Sequence, residues 1–126
     1  ALPISLTEQT ARNLAGLQTG STANTHAPSS NTAAIVTKSA AGAGICNVVS
    51  GIAWGYSATP TAGSIKVEDG SGTVIFGPVP ITTAGPGFFP FAFKGSANAA
   101  LIVTLAAGGS GVSGVVSVIS TWTEIP

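Results

Sequence analysis

His26, Cys46, Glu68 and Asp69 are the side chains that could attack a carbonyl, move a proton or hold a metal. A nucleophilic triad would have to recruit His26, the only histidine, and Asp69, the only aspartate. The Gly-x-Ser-x-Gly elbow that exposes a catalytic serine is missing. One histidine and one cysteine about twenty positions apart fall short of the clustered ligands a zinc ion needs. Glu68 and Asp69 are adjacent in a strand-like stretch and so point to opposite faces, unable to converge on one substrate atom. Asp69-Gly70-Ser71-Gly72 offers too little charge for a tight calcium site and reads as a turn. Cys46 lies in the apolar run Ile45-Cys46-Asn47-Val48-Val49 with no basic neighbour, the setting of a buried, inert thiol. The expectation is no catalytic residue, no metal and no cofactor.

Gly109-Ser110-Gly111-Val112-Ser113-Gly114 matches the glycine pattern of dinucleotide-binding loops. That pattern works only where a strand passes into a helix whose N-terminus meets the pyrophosphate. Here Val115-Val116-Ser117-Val118-Ile119-Ser120 follows, which is a strand, so a hairpin turn is expected. Trp54, Tyr56 and Trp122 could form a platform for a sugar ring. Trp54 and Tyr56 share the apolar face of their strand and belong to the core, whereas Trp122, between Thr121 and Thr123, is placed to be exposed.

The elements that must position these residues are short strands. Ala33 to Ser39, Ile45 to Ser57, Ser64 to Asp69, Thr73 to Phe76, Phe88 to Phe93, Leu101 to Ala106 and Gly114 to Trp122 are β-like runs separated by glycine-rich turns. In the longest run the even positions Cys46, Val48, Ile52, Trp54 and Tyr56 are apolar, which assigns them one core-facing side. Phe89, Phe91 and Phe93 likewise fall on one face. Pro78 and Pro80 are expected to break the ladder, making the next stretch an edge or a loop, and Pro90 to place its strand at an edge or bulge. The pattern predicts an all-β antiparallel β-sandwich, of jelly-roll type, over residues 32–126.

Residues 1–31 read as an N-terminal arm, polar and small, extended or with one short helix. Ser5-Leu6-Thr7-Glu8 matches a capping box, and Leu6, Thr10, Leu14 and Leu17 would follow on one helical face. The arm has too few large apolar residues for a core of its own, so it docks on the domain, docks on a partner or stays loose. Ile4, Leu6, Leu14 and Leu17 are its expected partner-binding residues.

Charged residues make up 6 % of the 126 positions, against about 25 % in ordinary soluble proteins, and the formal net charge is zero. With 44 % hydrophobic residues the chain folds, and its surface is left to Ser, Thr, Asn, Ala and Gly. Such a surface can meet another protein without desolvating many ions. Arg12, Lys38, Lys66 and Lys94 are scattered, so no basic patch for nucleic acid forms. No apolar run approaches the ~20 residues of a membrane helix, and Ala1-Leu2-Pro3 does not open a signal peptide.

The stretch Gly51-Ile52-Ala53-Trp54-Gly55-Tyr56-Ser57, Ile65-Lys66-Val67-Glu68-Asp69-Gly70, Gly87-Phe88-Phe89-Pro90-Phe91, Lys94-Gly95-Ser96-Ala97-Asn98 and Leu101 to Gly109 resembles small Ala/Gly/Ser/Thr-rich virion proteins of tailed bacteriophages. Several of these are jelly-roll cement (decoration) proteins of the capsid surface. The resemblance implies a structural virion protein, made in the bacterial host cytoplasm. It would bridge major capsid subunits, with the major capsid protein and itself (dimer or trimer) as partners. The alternatives are a phage fibre or receptor-binding head, a carbohydrate-binding β-module, and a cell-surface subunit.

Overall fold

Alternating apolar residues and glycine turns build eight strands: β1 (Asn24–His26), β2 (Ala34–Lys38), β3 (Cys46–Tyr56), β4 (Gly63–Asp69), β5 (Val74–Ile81), β6 (Gly87–Ala97), β7 (Leu101–Leu105) and β8 (Gly114–Glu124). The computed structural model describes residues 24–126. The helix expected after Ser5 and the partner-binding residues Ile4, Leu6, Leu14 and Leu17 lie outside the described residues. The strands form two antiparallel sheets, ordered β1-β8-β3-β6 and β2-β7-β4-β5. Every connection except the β4–β5 hairpin crosses from one sheet to the other. This is the double Greek-key order of an eight-stranded jelly roll.

The core lies between the sheets. Val36, Ile65, Val67, Leu101, Val103 and Leu105 face it from one side, and Val49, Ile52, Val116 and Val118 from the other. Each such side chain contributes about 1.5–3 kcal/mol on full burial. β7 is central in its sheet, between β2 and β4, as its nearly unbroken apolar sequence requires.

The alternation expected along β3 does not run straight through. Gly51 has φ 71, a left-handed backbone that an ordinary side chain adopts at a cost. The face changes there. Ile52 and Val49 both join the core, although a strict period of two would separate them. Cys46 and Val48 therefore stand on the outward side of β3, not with Ile52, Trp54 and Tyr56 as the sequence pattern suggests. On β6 the same region carries a register shift, with Ser50 opposite Ala92 but Ile52 opposite Phe89.

Three further expectations are corrected. The prolines mark an edge as expected, but β5 runs on through Pro78 and Pro80 instead of ending at Phe76. It can do so because it is an edge strand, and an edge needs no N–H on its free side. Phe91 is not a core residue: it touches Phe89, with ring centroids 5.2 Å apart, yet stays 65 % exposed. β1 is a strand where the sequence has only three polar residues, Asn24-Thr25-His26. Pairing with β8 forms it, helped by a 2.6 Å hydrogen bond between the Thr25 and Ser117 hydroxyls.

The two lateral sides of the sandwich close differently. At β1 and β2 the Ile35 N–H donates to His26 Nδ1 at 2.9 Å. At β5 and β6 the link is aromatic, Phe76 meeting Phe89 and Phe93 at centroid distances of 4.7 and 5.1 Å. One end is tied by Asn47, fully buried, whose Nδ2 donates to the carbonyls of Ser39, Ala99 and Lys38 at 2.8, 3.2 and 3.3 Å.

Losing Asn47 removes the donor shared by three part-buried carbonyls and empties a fully buried position, at about 1–3 kcal/mol for a group left unpaired. Asn47→Ala should destabilise the domain by roughly 2–4 kcal/mol in chemical denaturation. A loss under about half a kcal/mol, the size of an ordinary surface substitution, would show that the amide holds nothing together.

Candidate functional site

The outward face of the β1-β8-β3-β6 sheet carries the aromatic residue that the sequence leaves for the surface. Past the change of face at Gly51, cross-strand pairing sets Lys94, Val48 and Trp122 side by side in one row. The next outward row is Ala97, Cys46 and Glu124. Val48 is 2 % exposed although it faces outward, so the half-buried Trp122 and its neighbours lie over it. On the other side of that row stand Ala92, Ser50 and Ser120, followed by Gly51 and Ala53 on the central strand. Ser50 and Ala53 are half-buried there, the exposed Ile119 packs against the buried Gly51 between them, and the exposed Phe88 stands opposite Ala53.

The indole is fixed by its neighbours. Trp122 Nε1 donates to Glu124 Oε1 at 2.8 Å, and Lys94 Nζ reaches Glu124 Oε2 at 3.2 Å. The indole hydrogen bond, and then the one from Lys94, hold the Glu124 carboxyl below the usual carboxylate range. An exposed ion pair of this kind adds little to stability. Its effect is positional: the carboxylate spends one oxygen on the indole and one on the ammonium, which keeps ring and charges in one arrangement. A carboxylate has about four lone-pair positions and an ammonium three N–H donors, so both retain capacity toward a ligand hydroxyl.

Trp122 is accessible to sequence reasoning, and its two anchors differ in how far the sequence announces them. Glu124 carries a readable signal, since residues two apart in a strand share a face. Lys94 carries none, because it arrives through the β3–β6 register, which the irregularity beside Gly51 sets.

The other residues with chemical potential are not brought together. His26 is on β1, where its Nδ1 accepts the Ile35 N–H. Cys46 is free and buried, its Sγ donating to the Glu124 carbonyl at 3.3 Å. Glu68 pairs with Lys66 at 3.2 Å and accepts the Gly72 N–H at 2.8 Å. Asp69 turns to the opposite sheet and accepts the Ser96 N–H at 2.9 Å. Gly109 and Gly111, both at positive φ, form the turn between β7 and β8. Trp54 packs against the core and lies on Gly87, where a Cβ would come within 2.2 Å of the indole.

A carboxyl whose pKa is depressed in the folded state contributes stability that is complete above its unfolded pKa and lost as pH falls through the folded one. The Trp122–Glu124 link should therefore release at a lower pH than an unpaired glutamate titrates. An acid titration of the Trp122 indole N–H resonance checks this. A transition at or above the ordinary range, or one that survives in Glu124→Gln, would contradict it.

Neither a protein-family model nor a curated protein matches the sequence. Among solved structures the chain is similar to one described as "CBM4 structure and function", at 11 % identity and a TM-score of 0.44, covering 81 % of this chain and 84 % of that one. It is also similar to carbohydrate-binding module CBM36 in complex with calcium and xylotriose (16 % identity, TM-score 0.35, 78 % and 76 % covered). A third is a mannan-binding module in its bound conformation (15 % identity, TM-score 0.31, 82 % and 81 % covered).

Proposed function

We propose that the chain is a non-catalytic carbohydrate-binding β-module whose binding face is the outward side of the β1-β8-β3-β6 sheet. The observation that carries this reading is the anchored indole: Trp122 on an open sheet face, tied to Glu124, which is tied to Lys94. A pyranose ring has an apolar C–H face and a rim of hydroxyls. An indole offers a large apolar surface for the first. A fixed carboxylate and ammonium beside it serve the second with charge-assisted hydrogen bonds. Because the ring is already held, little side-chain freedom is lost on binding.

Titration calorimetry against a panel of soluble glucans, xylans and mannans tests the proposal. At least one should bind with a Kd between about 10 μM and 1 mM, the range of a few well-placed contacts. Trp122→Ala should abolish that binding. Glu124→Gln should weaken it by roughly tenfold, one tenfold step being about 1.4 kcal/mol. Absence of binding across the panel, or binding untouched in Trp122→Ala, would contradict the reading.

A second reading, the structural virion protein that bridges major capsid subunits, is supported by a different observation. Among the described residues ten large apolar side chains are exposed, on a chain with almost no charge. On this reading the protein binds isolated capsids with weak dependence on salt. A capsid co-sedimentation assay at low and high salt separates the two readings: the virion reading predicts that the protein pellets with the capsids at both, and the glycan reading that it stays in the supernatant.

A further inference from the structure

We infer that His26 is a pH-sensitive latch, which docks β1 on the sandwich at neutral pH and releases it in mild acid. The inference does not depend on the sugar-binding proposal, which rests on Trp122. β1 has little to hold it. It is three residues long, lies at the edge of its sheet and pairs with β8 from Asn24 opposite Val118 to His26 opposite Val116. Ordering three residues costs backbone entropy of the same order as a few hydrogen bonds return. A single contact can tip such a balance.

Side chains alternate along a strand. Thr25 points outward, where its hydroxyl meets that of Ser117 at 2.6 Å. His26 therefore turns toward the second sheet, and there its Nδ1 accepts the Ile35 N–H at 2.9 Å. This bond ties β1, at the edge of one sheet, to β2, at the edge of the other. Its direction makes it conditional on charge. A backbone N–H can only donate, so Nδ1 carries a lone pair and the neutral ring holds its proton on Nε2. A proton taken from solvent onto Nδ1 removes that lone pair and sets one donor against another. Histidine is the side chain whose ordinary titration falls between about pH 5 and 8.

The surroundings offer the imidazolium nothing in exchange. The elements packed against β1 are β8 and β2. β8 faces it with Val116, Ser117 and Val118, and β2 with Ala34, Ile35 and Val36, none of which titrates. Residues 27–33, which join β1 to β2, hold no acidic or basic side chain. The charged residues of the two facing strands stand at their far ends: Glu124 on β8, already tied to Trp122 and Lys94, and Lys38 on β2. No residue of β1 belongs to the hydrophobic core, so its release leaves the rest of the sandwich folded, with β8 as the edge strand of its sheet.

Nuclear magnetic resonance of the full chain between about pH 8 and 5 tests the inference. His26 is the only histidine, so its ring nitrogens are followed without ambiguity. As they titrate, the protection of the Ile35 amide, corrected for the intrinsic pH dependence of exchange, should fall by about tenfold or more, the size of one lost hydrogen bond. Proton–proton contacts between Thr25 and Ser117 should weaken over the same interval, while the core amides of Val67 and Val103 stay protected. His26→Asn keeps a neutral acceptor near the Nδ1 position and should hold β1 docked at both ends of the range. His26→Leu, which has no acceptor, should leave the Ile35 amide unprotected at both. Ile35 protection that does not follow the imidazole titration, Thr25–Ser117 contacts that survive it, or a His26→Asn variant that releases β1 in acid as the wild type does would each overturn the inference.

Discussion

The left-handed backbone at Gly51 is the constraint on which the surface chemistry of this sandwich depends. With strict alternation along β3, Val48 would share the core face of Ile52, Trp54 and Tyr56. Its cross-strand partner Trp122 would then be drawn inside with it. Because the face changes at Gly51, Val49 and Thr121 turn inward, and Trp122 is left outside with Val48 beneath it. A Cβ at Gly51 would meet Ile119 Cβ at 3.0 Å in addition to straining the backbone. One glycine thus couples the packing of the core to the exposure of the indole.

The same economy of charge shapes the rest of the molecule. Among the described residues all the charged groups but Lys38 are drawn into local pairs and turns: Lys66 with Glu68, Lys94 with Glu124, and Asp69 with the backbone of Ser96. The sheets are joined by other means, an imidazole at one lateral side and phenylalanine rings at the other. What remains exposed is neutral, with hydroxyl groups, glycines and apolar side chains. A surface of that kind suits recognition by shape, stacking and hydrogen bonds, and offers little to a polyanion.

Much of the fold was legible in the sequence because its signals are local. Ile65-Lys66-Val67-Glu68 alternates cleanly and forms β4, and the apolar run from Leu101 forms the central strand β7. Glycine turns delimit most strands to within a residue or two. Signals that depend on pairing were not legible. β1 has no pattern of its own and exists through β8. The two prolines of β5 mark an edge or a loop, and only strand order shows that the chain pairs on through them at an edge. Phe91 keeps the expected side of its strand, yet there is no sheet opposite to cover it. At the candidate site, Trp122 was readable as a surface aromatic from its threonine neighbours, whereas the approach of Lys94 depends on the β3–β6 register.

The central claim is that Trp122, and not the second tryptophan, meets a saccharide. The chain has two tryptophans, so its indole N–H region holds two resonances. A nitrogen–proton correlation titration with an oligosaccharide of the best-binding polysaccharide reads both at once. The account predicts that the Trp122 indole resonance moves progressively to saturation while that of Trp54, packed against Gly87 and the core, stays in place. A Trp122 resonance that does not move when the saccharide is bound would contradict it.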